Sequence, residues 1–328
     1  MRAGQSRWIY LLVLGIICSF LLGSTGCGGG STVPPLSVQN PTPTPTPTPT
    51  PGTTSTTAHD RVFLVVFENH SYSSVVGNTS MPYLNSLIGS FGLATNYFAN
   101  AHPSLPNYFV LTTGQTLALT DDFPGPVSND NAARALTTAG KSWRVYAQSL
   151  PATGYTGGDQ GPYIKHHNPF AYFSDVLGSS AQANNMVPFS QFSADLNANT
   201  LPNYSFIVPD NSHNSHDCPS GGSNCNDNDK LHDADEFLRT NIAPLIASAS
   251  FQKSGLLIIT FDEADISDFS FGGGKVATVV ISSKAKPGFQ STTFYQHQSV
   301  LRLMLKALGL TAFPGAASTA PEMDEFFK

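Results

Sequence analysis

The chain has 328 residues, of which 40% are hydrophobic and only 12% charged, about half the usual charged share of roughly 25%. That balance excludes a charge-rich disordered chain, and the length accommodates one large domain or two ordinary ones. Setting aside the first 26 residues, which hold Arg2 and Arg7 but no acid, moves the formal charge from −6 to −8, with 14 basic against 22 acidic residues; nothing in it favours binding to the phosphate backbone of nucleic acid.

Arg2 and Arg7 precede an apolar run over residues 8–22 that Gly23, Ser24 and Thr25 break. This is the pattern of an export signal, and the run is short for a membrane span of about 20 residues. Small residues then lead to Gly26-Cys27, similar to a bacterial lipoprotein signal whose cysteine is acylated, although Ser24 stands where that signal usually has Leu. An ordinary secretory signal cleaved nearby is the alternative. Residues 1–26 are therefore expected to be removed, with Cys27 the candidate lipidation site and the chain bound for the bacterial envelope, the periplasm or the exterior. Residues 27–60 are Gly, Ser, Thr and Pro, with five Pro-Thr dipeptides over 41–50, a spacer that favours polyproline II and cannot bury a core. Membrane contact is expected only through the N-terminal lipid.

Residues 61–328 read as one domain. Short Val- and Ile-rich runs alternate with helical patterns, which predicts an α/β fold with a mainly parallel sheet covered by helices on both faces. Strands are expected at 61–67, 142–147, 204–208, 256–261 and 276–281, and helices at 82–91, 131–139, 233–247 and 298–308. Ser104 is expected to N-cap a further helix ending at Gly114, with Pro106 tolerated in its first turn. Cys18 leaves with the signal and Cys27 would carry lipid, so Cys218 and Cys225 remain as an even pair around a Pro-Ser-Gly-Gly-Ser-Asn loop. In an oxidising compartment they are expected to form a disulfide.

Ligands in open α/β sheets collect beyond the carboxyl ends of strands. Glu68, Asn69 and His70 follow the first strand, Asp210, His213, Asn214, His216 and Asp217 follow the strand at 204–208, and Asp262, Glu263 and Asp265 follow the strand ending at 261. Carboxylate, amide and imidazole groups at one sheet edge suit a hard or borderline divalent cation. A serine at the start of a helix sits where unpaired N–H groups and the helix dipole favour phosphate. Asp227, Asp229, Asp233 and Asp235 lack the glycine and terminal glutamate of a calcium loop and read as helix capping. Tyr146, Tyr155, Tyr163, Phe170, Tyr172 and Phe173 are either core or the wall of a pocket.

The strings VVFENHSY (65–72), HPSLPNY (102–108), KHHNPFAYF (165–173), HDC (216–218), ITFDEAD (259–265) and YQHQSVLRLMLKALGL (295–310) resemble the acid phosphatase and phospholipase C phosphoesterases of the alkaline phosphatase superfamily. The resemblance implies an alkaline phosphatase-like fold with Ser104 as the nucleophile. It implies Asn107, and His102 and His167 beside it, as groups that contact phosphate. Glu68, Asn69, Asp262 and Glu263 would hold one metal, and Asp210, His216 and His297 a second, with His213 competing with His216. Asp235 would orient the disulfide loop. One or two divalent ions are thus expected, with a small phosphate ester as substrate and no assignment of oligomeric state.

The function expected is that of an exported, metal-dependent acid phosphatase that hydrolyses monoesters through a phosphoserine. The alternatives are a phospholipase C-type phosphodiesterase acting on phospholipids and, of another class, a surface-anchored binding module without turnover. Monoesters are favoured because, as the resemblance implies, relatives with phospholipase activity are usually longer than the roughly 270 residues of this domain, which also shows no exposed-looking apolar run outside the signal and carries a charge that repels anionic membranes.

Overall fold

The computed structural model describes residues 57–328; the expected signal, Cys27 and the spacer up to residue 56 lie outside the described residues. Strand β1 (Arg61–Phe67) is buried at every position after Arg61. Since successive side chains of a strand point to opposite faces, continuous burial means that both faces of the sheet are covered there. The remaining strands in chain order are β2 (Gly92–Ala94), β3 (Tyr97–Phe98), β4 (Trp143–Ala147), β5 (Met186–Pro188), β6 (Tyr204–Val208), β7 (Gly255–Phe261), β8 (Thr278–Ile281), β9 (Gln290–Ser291) and β10 (Tyr295–Gln296). Eight form one sheet in the order β5-β4-β6-β1-β7-β8-β2-β9, and β3 pairs with β10 apart from it. Val62 lies opposite both Tyr204 and Leu256 in parallel register; β8 alone runs antiparallel to its neighbours. The carboxyl ends of β6, β1 and β7 are therefore adjacent, at the centre of the sheet.

Helix Ser104–Thr113 has every residue buried and packs against helix His297–Ala307. It stops at Gly114, whose φ of +69° and neighbouring Pro314 carbonyl, 2.5 Å from where a Cβ would stand, admit only glycine. Ser104 is the first residue of this helix and Pro103 holds the N-cap position, so the expected cap moves by one. The helix expected at 233–247 begins earlier, at Asp227, where Asn226 and Asp229 form a capping box. It is interrupted by a π turn at Leu238–Ile242 before resuming as Ala243–Ala247. Asp235 corrects another expectation: both of its oxygens accept from Tyr83 and Leu84 N–H at 2.8 Å, so it caps helix Pro82–Ser90 and not the disulfide loop. Cys218 and Cys225 are joined, with Cα atoms 5.7 Å apart. Of the aromatic series only Tyr155 is partly buried; Tyr146, Tyr163, Phe170, Tyr172 and Phe173 are core. Among the described residues no helix is long and apolar enough to cross a membrane.

At the rim of this core His59 bridges Thr57 O and Ser282 Oγ. A carbonyl can only accept, so Nδ1 carries the proton and Nε2 accepts from the serine. Burial lowers the pKa to about 4. Between pH 6.5 and 4 the unfolded chain therefore binds a proton that the native state refuses, and stability falls as pH falls. The Tm advantage of the wild type over His59→Gln should be largest above pH 6.5 and shrink toward pH 4, by at most about 3 kcal/mol of stability. A constant difference over that range would show that His59 does not titrate with folding.

Candidate active site

Three loops meet at Ser104. Its hydroxyl donates to Glu68 Oε2 at 3.0 Å and lies 3.5 Å from both Asn69 Oδ1 and Glu263 Oε1. Glu68 and Asn69 arrive from the end of β1, Glu263 from the end of β7, and Ser104 itself is 4% exposed. Asn69 has a φ of +54°, a left-handed conformation that Asn tolerates better than most residues. Its N–H donates to Asp262 Oδ1. The other Asp262 oxygen is buried without a hydrogen-bond partner. Burial first, and the mutual repulsion of neighbouring carboxylates second, push Glu68 and Glu263 above the usual carboxyl range. Asp262 rises as well, through burial.

Glu68 is held from behind. Tyr108 donates its hydroxyl to Oε1, and His167, stacked on the Tyr108 ring at 5.3 Å, places Nε2 3.4 Å from the same oxygen. Asn214 donates toward His167 Nδ1, which leaves the ring proton on Nε2, facing Glu68. His167 is thus a buried neighbour of Glu68, kept neutral by burial and by the adjacent His166 and His216, and does not stand at the open face expected for contact with phosphate. Tyr108 was not singled out by the sequence reading. It lies four residues after Ser104 and so on the same helix face, which is the signal that points to it.

Asn107 is also placed differently from its expected role. Its amide donates to the Ala101 and Pro103 carbonyls, and its Oδ1 accepts from the Asn100 and Ala101 N–H groups. With no exposed surface, it clamps the segment leading to Ser104, and its amide comes within 3.5 Å of Glu263 Oε2. His102 places Nδ1 2.9 Å from Glu263 Oε2 and donates Nε2–H to Asp268 O. Asp121, also absent from the sequence reading, accepts from the Leu105 N–H at 2.9 Å and so satisfies one of the free amides of the helix start.

The set expected to hold a second metal is not assembled. Both nitrogens of the fully buried His297 are engaged, Nε2 donating to Asp262 O at 2.6 Å and Nδ1 accepting from Tyr97 OH; it buttresses the acidic loop from below. Asp210 pairs with His213 at 2.6 Å and accepts from Ser149. His216 turns to Asp217 and stands half-exposed near His167. Among the described residues no group of three or more His, Cys, Asp or Glu side chains is gathered in metal-holding geometry. At Ser104, however, Asn69 and the serine add oxygens to the three carboxylates. The buried, unpartnered Asp262 oxygen and the crowding of like charges fit a hard cation.

The model of the phosphoesterase family matches residues 69–311. A phosphatidylinositol-3-phosphatase from Mycobacterium tuberculosis is 32% identical over 83% of this chain and 83% of its own length. A probable acid phosphatase from Kluyveromyces lactis is 30% identical over 74% of this chain, which spans only 57% of that protein. In fold, a protein in the alkaline phosphatase superfamily from Vibrio parahaemolyticus aligns with a TM-score of 0.55 at 12% identity, over 82% of this chain and 72% of that one.

Proposed function

The chain belongs to the phosphoesterase family, and from that membership we propose that it is an exported phosphatase that hydrolyses phosphate monoesters through a phosphoserine on Ser104, with a divalent cation as its resident cofactor. The observation that carries this reading is the Ser104 hydroxyl at the start of a buried helix, donating to the Glu68 carboxyl that Tyr108 holds by its other oxygen. Glu68 takes the proton from Ser104 Oγ as the oxygen bonds to phosphorus and the ester oxygen departs. Tyr108 holds Glu68 in place throughout, with the neutral His167 ring packed beside it. Water then displaces Ser104 from phosphorus and the serine recovers its proton. The N-terminus of helix Ser104–Thr113 favours the phosphate charge.

Asn69 Oδ1, Asp262, Glu263 and Ser104 Oγ are the groups that would hold the cation, with Glu68 beside them. When bound it neutralises the carboxylate wall and acidifies a coordinated hydroxyl. A dianionic monoester beside three carboxylates needs that neutralisation, because unit charges 4 Å apart interact by about 4 kcal/mol at an effective dielectric of 20. The mycobacterial relative, a phosphatidylinositol-3-phosphatase, supports a monoester, and the Cys218–Cys225 bond supports an oxidising destination. The purified full chain should turn over p-nitrophenyl phosphate with a kcat/KM at least tenfold above that for bis-p-nitrophenyl phosphate. The reverse order would replace this reading with a phosphodiesterase of the phospholipase C type, and no turnover of either would leave a binding module.

A further inference from the structure

The loop between β7 and β8 exposes what its sequence conceals. In Asp265–Gly274 polar and apolar residues alternate, so no apolar run is visible, yet Ile266, Phe269 and Phe271 are each more than 60% exposed. Phe294 packs against Phe271 at 4.8 Å, and both rings rest on Phe98. This overturns the expectation that nothing apolar is presented outside the signal. The loop is not slack. Asp265 accepts from Ser267, Asp268 accepts from the Ser270 and Lys275 N–H groups, and Gly272 and Gly273 lie so close to the Asn100 and Ala101 carbonyls that no Cβ fits. Its two acids are spent on internal bonds while its rings face outward. Phe271 has a φ of +53°, a conformation that suits Gly or Asn and disfavours a bulky side chain. Both the exposure and the backbone of Phe271 are unfavourable in the isolated chain, and contact with an apolar phase removes the first.

The patch is continuous with the active site. Phe269 stands edge-on to His102 at 4.9 Å, and His102 pairs with Glu263. Ile266 lines the same cavity of about 600 Å³ as Asn69, Glu263, His70 and Lys230. His70 is 6% exposed and its Nε2 has no partner. A polar cavity whose Asn69 and Glu263 walls both reach the Ser104 hydroxyl, with Ile266 carrying the apolar patch to its edge, matches a molecule with a phosphorylated head and apolar tails. We propose that the Ile266, Phe269, Phe271 and Phe294 rim docks the enzyme onto a zwitterionic lipid–water interface and presents phosphate monoester headgroups to Ser104. Aromatic rings are favoured at such interfaces, and the acidic balance of the chain selects against a strongly anionic surface. The substrate class rests on the phosphatase reading; the docking does not.

Two substrates share one head: glycerol 3-phosphate in solution, and phosphatidic acid at low mole fraction in phosphatidylcholine vesicles. The full chain should show a kcat/KM at least tenfold higher on the vesicles. Phe294→Ser with Phe271→Asn, two rings outside the cavity, should cut vesicle turnover at least tenfold while glycerol 3-phosphate turnover stays within twofold, and any N-terminal anchorage is common to both proteins. Phe271→Trp should keep vesicle activity and show a blue-shifted emission, as a difference from wild type, when phosphatidylcholine vesicles alone are added. Equal losses on both substrates, or an unshifted emission, would overturn the docking, including in favour of a protein partner for the patch. Wild-type inactivity on both substrates would instead remove the phosphatase reading and leave the fluorescence arm to decide the patch.

Discussion

Ser104→Ala is expected to lower turnover of p-nitrophenyl phosphate by at least about 10⁴-fold, the scale seen when a covalent nucleophile is removed, with little change in Tm. Among the described residues the hydroxyls that reach the Glu68 carboxyl are those of Ser104 and Tyr108, and alanine at 104 offers no atom to bond to phosphorus. The fold should tolerate the change. Alanine is the better helix former, and Glu68 keeps the Tyr108 hydroxyl, so the lost buried bond costs about 1 to 3 kcal/mol at most. Circular dichroism and a thermal melt beside the kinetics separate chemistry from unfolding. A folded Ser104→Ala protein retaining more than a tenth of wild-type turnover would remove the nucleophile assignment.

The second large effect is loss of activity on chelation. Glu68, Asp262 and Glu263 crowd one hydroxyl, and all three carboxyls are raised. Without a cation the native site holds protons that the unfolded chain has already released, so the stability of the metal-free protein falls as pH rises above the ordinary carboxyl range near 4. Metal loading reverses this, because ligands bind as anions and protons compete at low pH. Dialysis against a chelator should therefore abolish at least about 99% of activity, on the scale of 10 to 100-fold that even supporting groups of a metal site command. The Tm gained on adding back a divalent ion should be larger at pH 7 than at pH 5. Asp262→Asn should lower the metal retained per chain. Full activity with metal analysis showing none bound would defeat metal activation.

Much of this was legible because the signal is continuous. β1, β6 and β7 are buried on both faces, so their composition alone marks them, and the chemistry-bearing residues follow immediately in the chain. β2, β3, β5, β9 and β10 are two or three residues long, too short for any periodicity. What adjacency in sequence does not carry is side-chain direction. His297 is marked as a ligand only by the family resemblance, yet it turns back to the Asp262 carbonyl. Asp210 follows β6 as expected and is taken by His213, three residues on. Asn107 and Asp121 anchor backbone, a role set by where the loops before and after the helix cross. The aromatic rim was hidden by its alternation with Ser, Asp and Gly, and only the folded loop sorts one set from the other.

The pairing of β1 with β6 and β7 also fixes when the enzyme can act. Ser104 reaches Glu263 across 159 residues of chain, and Val62 finds its two partners only after residues 204 and 256 have been made. Such long-range pairing folds slowly. A ribosome still short of β7 carries the serine but none of the acids that follow β7, and a full-length chain whose sheet is still open holds the two apart. Catalysis therefore begins only after synthesis has passed β7 and the sheet has closed. A nick or truncation that removes β7 erases it at once, so phosphatase activity in this chain doubles as a direct report of completed folding.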